Sequence, residues 1–224
     1  MRYLNNAPWF RHCASLRKIV VVTQSLADFP RPSVAVDTAV LTVADDRLAV
    51  LLLPASDSLP TRLPGTFLHE GETLEGAVLR SLSEKAGVRG LQPQQVKVFD
   101  AVDRDDRGRV LSVAFVDVVR NSQLPVDALI AGVDSLGPLA FDHDEIIAFA
   151  AAIIRDAYSK TPDPRGLLEQ PFTLRELRTV HEAVLGERIL PDTFRRTMLP
   201  MLEATGELLR EGRGRPAELY RRAN

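Results

Sequence analysis

Cysteine is almost missing from this 224-residue chain. Cys13 stands alone, so no internal disulfide can form and no thiolate cluster can hold a metal. A reducing cytoplasm is the compartment this composition implies, and with no partner suggested nearby Cys13 is not read as a nucleophile. No apolar run approaches the roughly 20 residues that span a bilayer, so no membrane association is expected. The first 25 residues carry Arg2, Arg11, Arg17 and Lys18 but no apolar segment of secretory-signal length. Charge of one sign is lacking too: 28 basic residues stand against 30 acidic ones, which does not by itself suggest nucleic acid. Repeats and low-complexity tracts are absent. What is present is 45% hydrophobic and 26% charged residues, enough for one medium globular domain and a small one.

The patterning places strands at residues 33–43 and 47–53, joined by the hairpin-like turn Ala44-Asp45-Asp46. Two more strands are predicted at 95–102 and 110–119, flanking a charged turn that contains Arg104, Arg107 and Arg109. A helix over 142–160 is predicted from Ile146, Ile147, Phe149, Ala150, Ile153 and Ile154, with Asp142 and Glu145 as its capping box. Thr161-Pro162-Asp163-Pro164-Arg165-Gly166 then breaks the helix and reads as a linker.

Between these strands lies Leu63-Pro64-Gly65-Thr66-Phe67-Leu68-His69-Glu70-Gly71-Glu72-Thr73, leading into a helix with Leu74, Val78, Leu82 and Ala86 on one stripe. Thr73 can cap its start, and Gly87 sits where a left-handed C-cap is wanted. Another side carries Ala77, Arg80, Ser81, Glu84 and Lys85. A Pro-Gly turn before an amphipathic helix is common. The joint spacing of Glu72, Arg80, Leu82, Glu84, Gly87 and Val88 is not, and it resembles a Nudix box, G-x5-E-x7-R-E-U-x-E-E-x-G-U. Thr66, Ser81 and Lys85 depart from that pattern.

The resemblance implies an α/β/α sandwich whose loop-helix holds Mg²⁺ against a nucleoside diphosphate. Ser81 and Lys85 stand where two metal-binding carboxylates belong, and Mg²⁺ takes oxygen ligands. An ammonium opposes a divalent cation, and Glu84 is expected to be neutralised by Arg80 one turn earlier. Hydrolysis is therefore not expected, and no catalytic residue or metal ligand is assigned. The rival reading is an active ADP-ribose pyrophosphatase that recruits Glu70 and Glu72 to a non-standard metal site. His69 is read as structural, and His143 as a packing or hinge residue.

From residue 171 onward ten Arg stand against eight acids. Thr173 and Glu176 form a capping box for a helix over 174–185 that Gly186 stops. Pro191-Asp192 starts a second helix with Asp192 as N-cap, and Phe194, Met198 and Leu202 are expected to pack inward. Pro200 should kink or end that helix shortly after its reading face. Strands at 207–210 and 217–221 flank the turn Glu211-Gly212-Arg213-Gly214-Arg215-Pro216. Helix, turn, helix and a hairpin with a basic tip is the plan of a winged helix. The second helix would present Arg195, Arg196 and Thr197 to a major groove, and Arg213 and Arg215 would lie along the backbone or minor groove. Arg175, Arg178 and Arg188 are read as surface charge. The alternative is a module that binds protein rather than DNA.

Taken together, a degenerate Nudix box, the segment Leu139-Ala140-Phe141-Asp142-His143-Asp144-Glu145-Ile146 and the basic winged helix resemble the Nudix-related transcriptional regulators of bacterial NAD metabolism, the NrtR family. The resemblance implies a Nudix domain over 1–160 (1–30 being an extension), a linker over 161–171 and a DNA-binding domain over 172–224. It also implies ADP-ribose or a related nucleotide as effector, a homodimer, a palindromic double-stranded operator and repression of NAD synthesis or salvage genes. The expected ligand cradle is Leu63, Pro64, Gly65, Arg80, Glu84 and Lys85, with Arg107 and Arg109 from the opposing turn. Lys85 would then stand in for Mg²⁺, and no cofactor would be required.

Overall fold

The computed structural model describes residues 25–57, 59–210 and 216–223. Cys13 and the wing-tip residues Arg213 and Arg215 lie outside them. Met1–Arg31 and Pro32–Asn224 are separate compact units, and the described part of the first holds one short 3-10 turn, Leu26–Asp28.

The second unit is built on β1 (Ser33–Ala44), whose residues are buried almost end to end. A strand buried on both faces reads as a near-continuous apolar run, as Val34 to Val43 does apart from Asp37, Thr38 and Thr42. It pairs in parallel with β5 (Val110–Val118) along one edge. Its other edge is shared: β3 (Gly65–Phe67) covers the first half, and β2 (Arg47–Leu52) covers the second. With β4 (Gln94–Phe99) and β6 (Leu129–Gly132) the order is β4-β5-β1-β2-β6. Asp45 and Asp46 turn the β1–β2 hairpin with φ of 49° and 56°, the sign that a two-residue turn needs to match strand twist.

Alternation along β1 feeds two cores. Val36 and Val40 pack with Val78 and Leu82 of α1 (Leu74–Lys85), while Ala39 and Leu41 pack with Ile146, Ile147 and Ile154 of α2 (His143–Lys160). Each Val, Leu or Ile among them contributes roughly 1.5–3 kcal/mol when fully buried. The result is the α/β/α sandwich.

Several local expectations needed correction. Asp142 does precede α2, but its side chain makes no cap bond; both its oxygens are taken by a two-point, charge-assisted pair with Arg104. The strand expected at 95–102 ends at Phe99, opposite Ser112; the residues beyond it are unpaired and Val102 is exposed. β6 was not anticipated, being only four residues long and defined by its pairing with β2.

The C-terminal elements are β7 (Phe172–Thr173), α3 (Leu174–Leu185), α4 (Pro191–Met198), β8 (Leu202–Leu209) and β9 (Ala217–Arg222), with sheet order β7-β9-β8. The Thr173–Glu176 capping box is present, and Gly186 closes α3 at φ 75°. Asp192 is not the N-cap of α4; Leu190 is, with Pro191 at the first helical position, where its missing N–H costs nothing. Phe194 and Met198 are buried with Phe172, Leu177 and Tyr220. Leu202 joins this core from β8 rather than from the helix, since Pro200 sits in a 3-10 turn after Met198.

The segment read as a linker is a packed joint. Asp163 is fully buried: its carboxylate accepts from the Tyr158 hydroxyl (2.8 Å), the Leu167 and Leu168 amides (2.8 and 3.0 Å) and Arg222 (2.7 Å). Its own N–H donates to Nε2 of His181 at 3.1 Å. Helix α2, the joint and β9 thus meet at the Asp163 carboxylate, whose buried charge is tolerated only because its lone pairs are satisfied. Helix α3 joins through the Asp163 amide.

Candidate functional site

A cleft of about 230 Å³ opens where β1, β3, the charged turn and the start of α2 converge. Its lining includes four cationic side chains, Arg62, Lys85, Arg104 and Arg107, against two anionic ones, Asp37 and Asp105. The acids are already engaged. Asp37 is buried, accepts from the Ser112 hydroxyl at 2.5 Å and lies 3.3 Å from His143 and 3.7 Å from Arg104. Burial alone would raise its pKa, but the His143 contact, the Ser112 hydroxyl and the Arg104 charge together hold it below the ordinary carboxylate value. Asp105 is also lowered, chiefly by the two-point bond from Arg107 at 2.9 and 2.7 Å.

Arg62 and Lys85 are different. Arg62 donates to the carbonyls of Pro54 and Pro60, and Lys85 to the carbonyl of Gly65 at 2.6 Å. Neither has a salt-bridge partner among the described residues. Partial desolvation, with repulsion from Arg62 and Arg80, lowers the Lys85 pKa against the pull of Asp37 and Glu84. The cleft therefore offers uncompensated positive charge to an anion.

His143 is buried and bridges the cleft floor. Its Nδ1 accepts the Leu63 N–H at 2.9 Å, which puts the proton of a neutral ring on Nε2, facing Asp37. The Leu63 amide is thus occupied; the Pro64 carbonyl accepts from the Thr38 amide, and the Gly65 carbonyl accepts from Lys85. Leu63 and Gly65 line the cleft through their surfaces, with these backbone groups already bonded.

Arg80 does not neutralise Glu84 as expected. It makes a two-point pair with Glu72 (2.8 Å each) and also donates to Thr66 Oγ1 and the Phe67 carbonyl. The planar guanidinium fork matches a carboxylate presented by the loop better than one on its own helix. Arg80's bond first, and the His69 amide second, pull the Glu72 carboxyl down to about 2. Arg80 and Glu84 stand outside the cleft lining, and so does Arg109, which donates to the carbonyls of Asp100 and Ala101.

These residues do not fit Mg²⁺. Glu72 is committed to Arg80, the Ser81 hydroxyl is buried without a partner, and an ammonium occupies the Lys85 position. Among the described residues no three His, Cys, Asp or Glu side chains gather as a metal site. Glu70 is exposed and joins no such group.

The sequence did not single out Arg62, Arg104, Asp37, Phe67, Phe141 or His143 as cleft residues. Arg62 immediately before Leu63-Pro64-Gly65 was a usable signal. The others become neighbours only through β1–β3 pairing and the docking of α2.

On the C-terminal domain Arg195, Arg196 and Thr197 are all exposed on α4. The Thr197 hydroxyl donates to the Thr193 carbonyl, which leaves it free only as an acceptor. Arg175, read as surface charge, shares a groove with Arg195, Thr173 and Tyr220. Helix α2 joins the two regions: its first turn borders the cleft, its last turn holds Tyr158 at the joint, and Arg155 donates to Val184 of α3 and to Asp134.

Residues 32–157 match the NUDIX domain model, and residues 164–222 match the NrtR DNA-binding winged helix domain. A relative from Acinetobacter baylyi, the ADPR responsive transcriptional repressor NtrR, is 30% identical and is matched over 87% of this chain and 84% of its own. The crystal structure of Shewanella oneidensis NrtR complexed with a 27mer DNA superposes with a TM-score of 0.69 at 33% identity, over 85% of this chain and 93% of that one. The NUDIX domain of the same Shewanella protein, complexed with ADP ribose, superposes at 0.50 with 27% identity over 59% and 94%. These matches, over a Nudix sandwich with a cationic cleft and a winged helix whose second helix exposes two arginines, place this chain in the NrtR family of transcriptional regulators.

Proposed function

We propose that this protein is a ligand-gated, DNA-binding repressor of NAD synthesis or salvage genes that works in the cytoplasm as a homodimer. The effector is ADP-ribose or a related nucleotide, held in the cleft without metal and without hydrolysis. The observation that carries the reading is Lys85: an ammonium at a metal-ligand position, beside an equally unpaired Arg62, in a chain that also carries a winged helix. The descriptions of the Acinetobacter relative and the Shewanella complex support ADP-ribose as the first ligand to test.

In this reading residues 1–160 are the sensing domain, 161–171 the joint and 172–224 the DNA-binding domain. Lys85 and Arg62 meet the pyrophosphate beside Leu63 and Gly65, and Arg107 contacts another part of the nucleotide. Arg80 and Glu84 support the box from outside the cleft, as Pro64 does through Thr38. Arg195, Arg196 and Thr197 enter the major groove, with Arg213 and Arg215 on the wing. Two copies related by a two-fold axis match a palindromic operator.

The test is a gel shift with duplexes from upstream of NAD synthesis and salvage genes, beside a scrambled duplex, with and without ADP-ribose. Specific retention altered by ADP-ribose is expected, and Lys85→Glu should abolish the response in metal-free buffer. Failure to retain any duplex at low salt would remove the DNA reading. Release of AMP from ADP-ribose with Mg²⁺ would instead favour the pyrophosphatase.

A further inference from the structure

We propose that Phe67, Arg107 and Phe141 form the subsite that takes the planar base of the nucleotide and so let the protein tell a nucleotide from a sugar phosphate. This rests on the reading that the cleft binds a nucleotide. All three line the same cleft as Arg62 and Lys85. The guanidinium carbon of Arg107 lies 5.4 Å from the centroid of the Phe67 ring and 5.2 Å from that of Phe141. A planar cation therefore bridges two aromatic rings carried by different elements, β3 and the turn before α2. Its plane is set by the two bonds to Asp105.

Both rings are held in place at a cost. Phe67 is apolar yet 39% exposed at the cleft mouth, so much of its surface is not used in a core. Phe141 has φ of 54°, a left-handed conformation that bulky side chains rarely adopt. Such strain persists where neighbours over-determine it, and here they do. The Ala140 amide donates to the Thr61 carbonyl at 2.9 Å, Asp142 is gripped by buried Arg104, and His143 is bonded to Leu63. Three anchors, one before Phe141 and two after it, hold it at the cleft.

The chemistry of the ligand follows from the two ends. Arg62 and Lys85 offer charge without planar partners, which suits phosphate oxygens. Two rings and a guanidinium offer flat faces, which suit a heteroaromatic base; a sugar has no π face to stack. A nucleotide matches both ends, and a sugar phosphate or free pyrophosphate matches one.

The experiment is calorimetric titration of the full-length protein with ADP-ribose, ribose 5-phosphate and inorganic pyrophosphate, each against Phe67→Leu, Phe141→Leu and Arg107→Lys. Each variant should weaken ADP-ribose by about tenfold, the lower end for loss of a base-stacking face, while pyrophosphate affinity stays within about twofold of wild type. Arg107→Lys keeps the charge, is exposed and tests the subsite even if Phe141→Leu fails to fold. If wild type binds ADP-ribose and the variants bind it equally well, or lose ADP-ribose and pyrophosphate in parallel, the base subsite is overturned while the nucleotide reading stands. If wild type binds none of the three, the nucleotide reading falls and the subsite falls with it.

Discussion

A Cβ on residue 65 would stand 1.9 Å from Oδ1 of Asp37, so the glycine of Leu63-Pro64-Gly65 is required by a close approach and not by a turn. Asp37 in turn is held by Ser112, His143 and Arg104, and cannot retreat without breaking that network. Gly65→Ala is expected to destabilise the protein by about 1–3 kcal/mol, the range for overpacking. Thermal unfolding should show a fall of several degrees, and an unchanged melting temperature would refute the account of this glycine.

Tyr158→Phe removes one donor from buried Asp163 while Arg222 and the Leu167 and Leu168 amides remain. We expect a loss of about 1.5–3 kcal/mol in denaturant unfolding, typical of one hydrogen bond to a charged group. Because Tyr158 ties α2 to the joint beneath the winged helix, the ADP-ribose response in a gel shift should also weaken. A full response with an unaltered denaturation midpoint would count against α2 as the connecting rod.

His181 gives a pH prediction. Burial lowers its pKa from 6.5 to about 4, since the neutral ring packs between Tyr158 and Phe194 and accepts from the Asp163 amide. Between these values the unfolded chain binds the proton and the folded one does not. Stability is therefore full above pH 6.5 and falls by up to about 1.4 kcal/mol per pH unit below it, the slope vanishing again under pH 4. His181→Gln keeps an acceptor but cannot titrate. Its stability should vary less with pH between 6.5 and 4, and parallel profiles for the two proteins would contradict the assignment.

Arg196→Ala tests the winged-helix face. If Arg196 neutralises a phosphate, the variant should bind all duplexes more weakly and lower the slope of log affinity against log salt by about 1. A change confined to one operator position would mean instead that Arg196 reads a base edge. No change in either would take α4 out of the DNA interface.

Local rules carried far in this chain. The Thr173–Glu176 box, the Gly186 stop, the Thr73 cap and the stop at Pro200 each depend on groups within a few residues, so sequence spacing expresses their energetics directly. Asp142 shows where such rules end. Its spacing to Glu145 was right for a capping box, yet a guanidinium 38 positions earlier outcompeted the cap. Arg80 had two carboxylates within reach along the chain and took Glu72, to which it donates twice.

The Nudix and winged-helix domains and their order were determined by the sequence alone, because periodicity, caps and motif spacing are local properties. The cleft was decided by tertiary structure. Only β1–β3 pairing and the seating of α2 bring Arg62, Lys85, Phe67, Phe141 and His143 together, and only the fold turns residues 161–171 from an apparent linker into a joint around buried Asp163. A long-range contact leaves no periodic trace in a sequence, since its partners are chosen by burial and charge after the chain has folded.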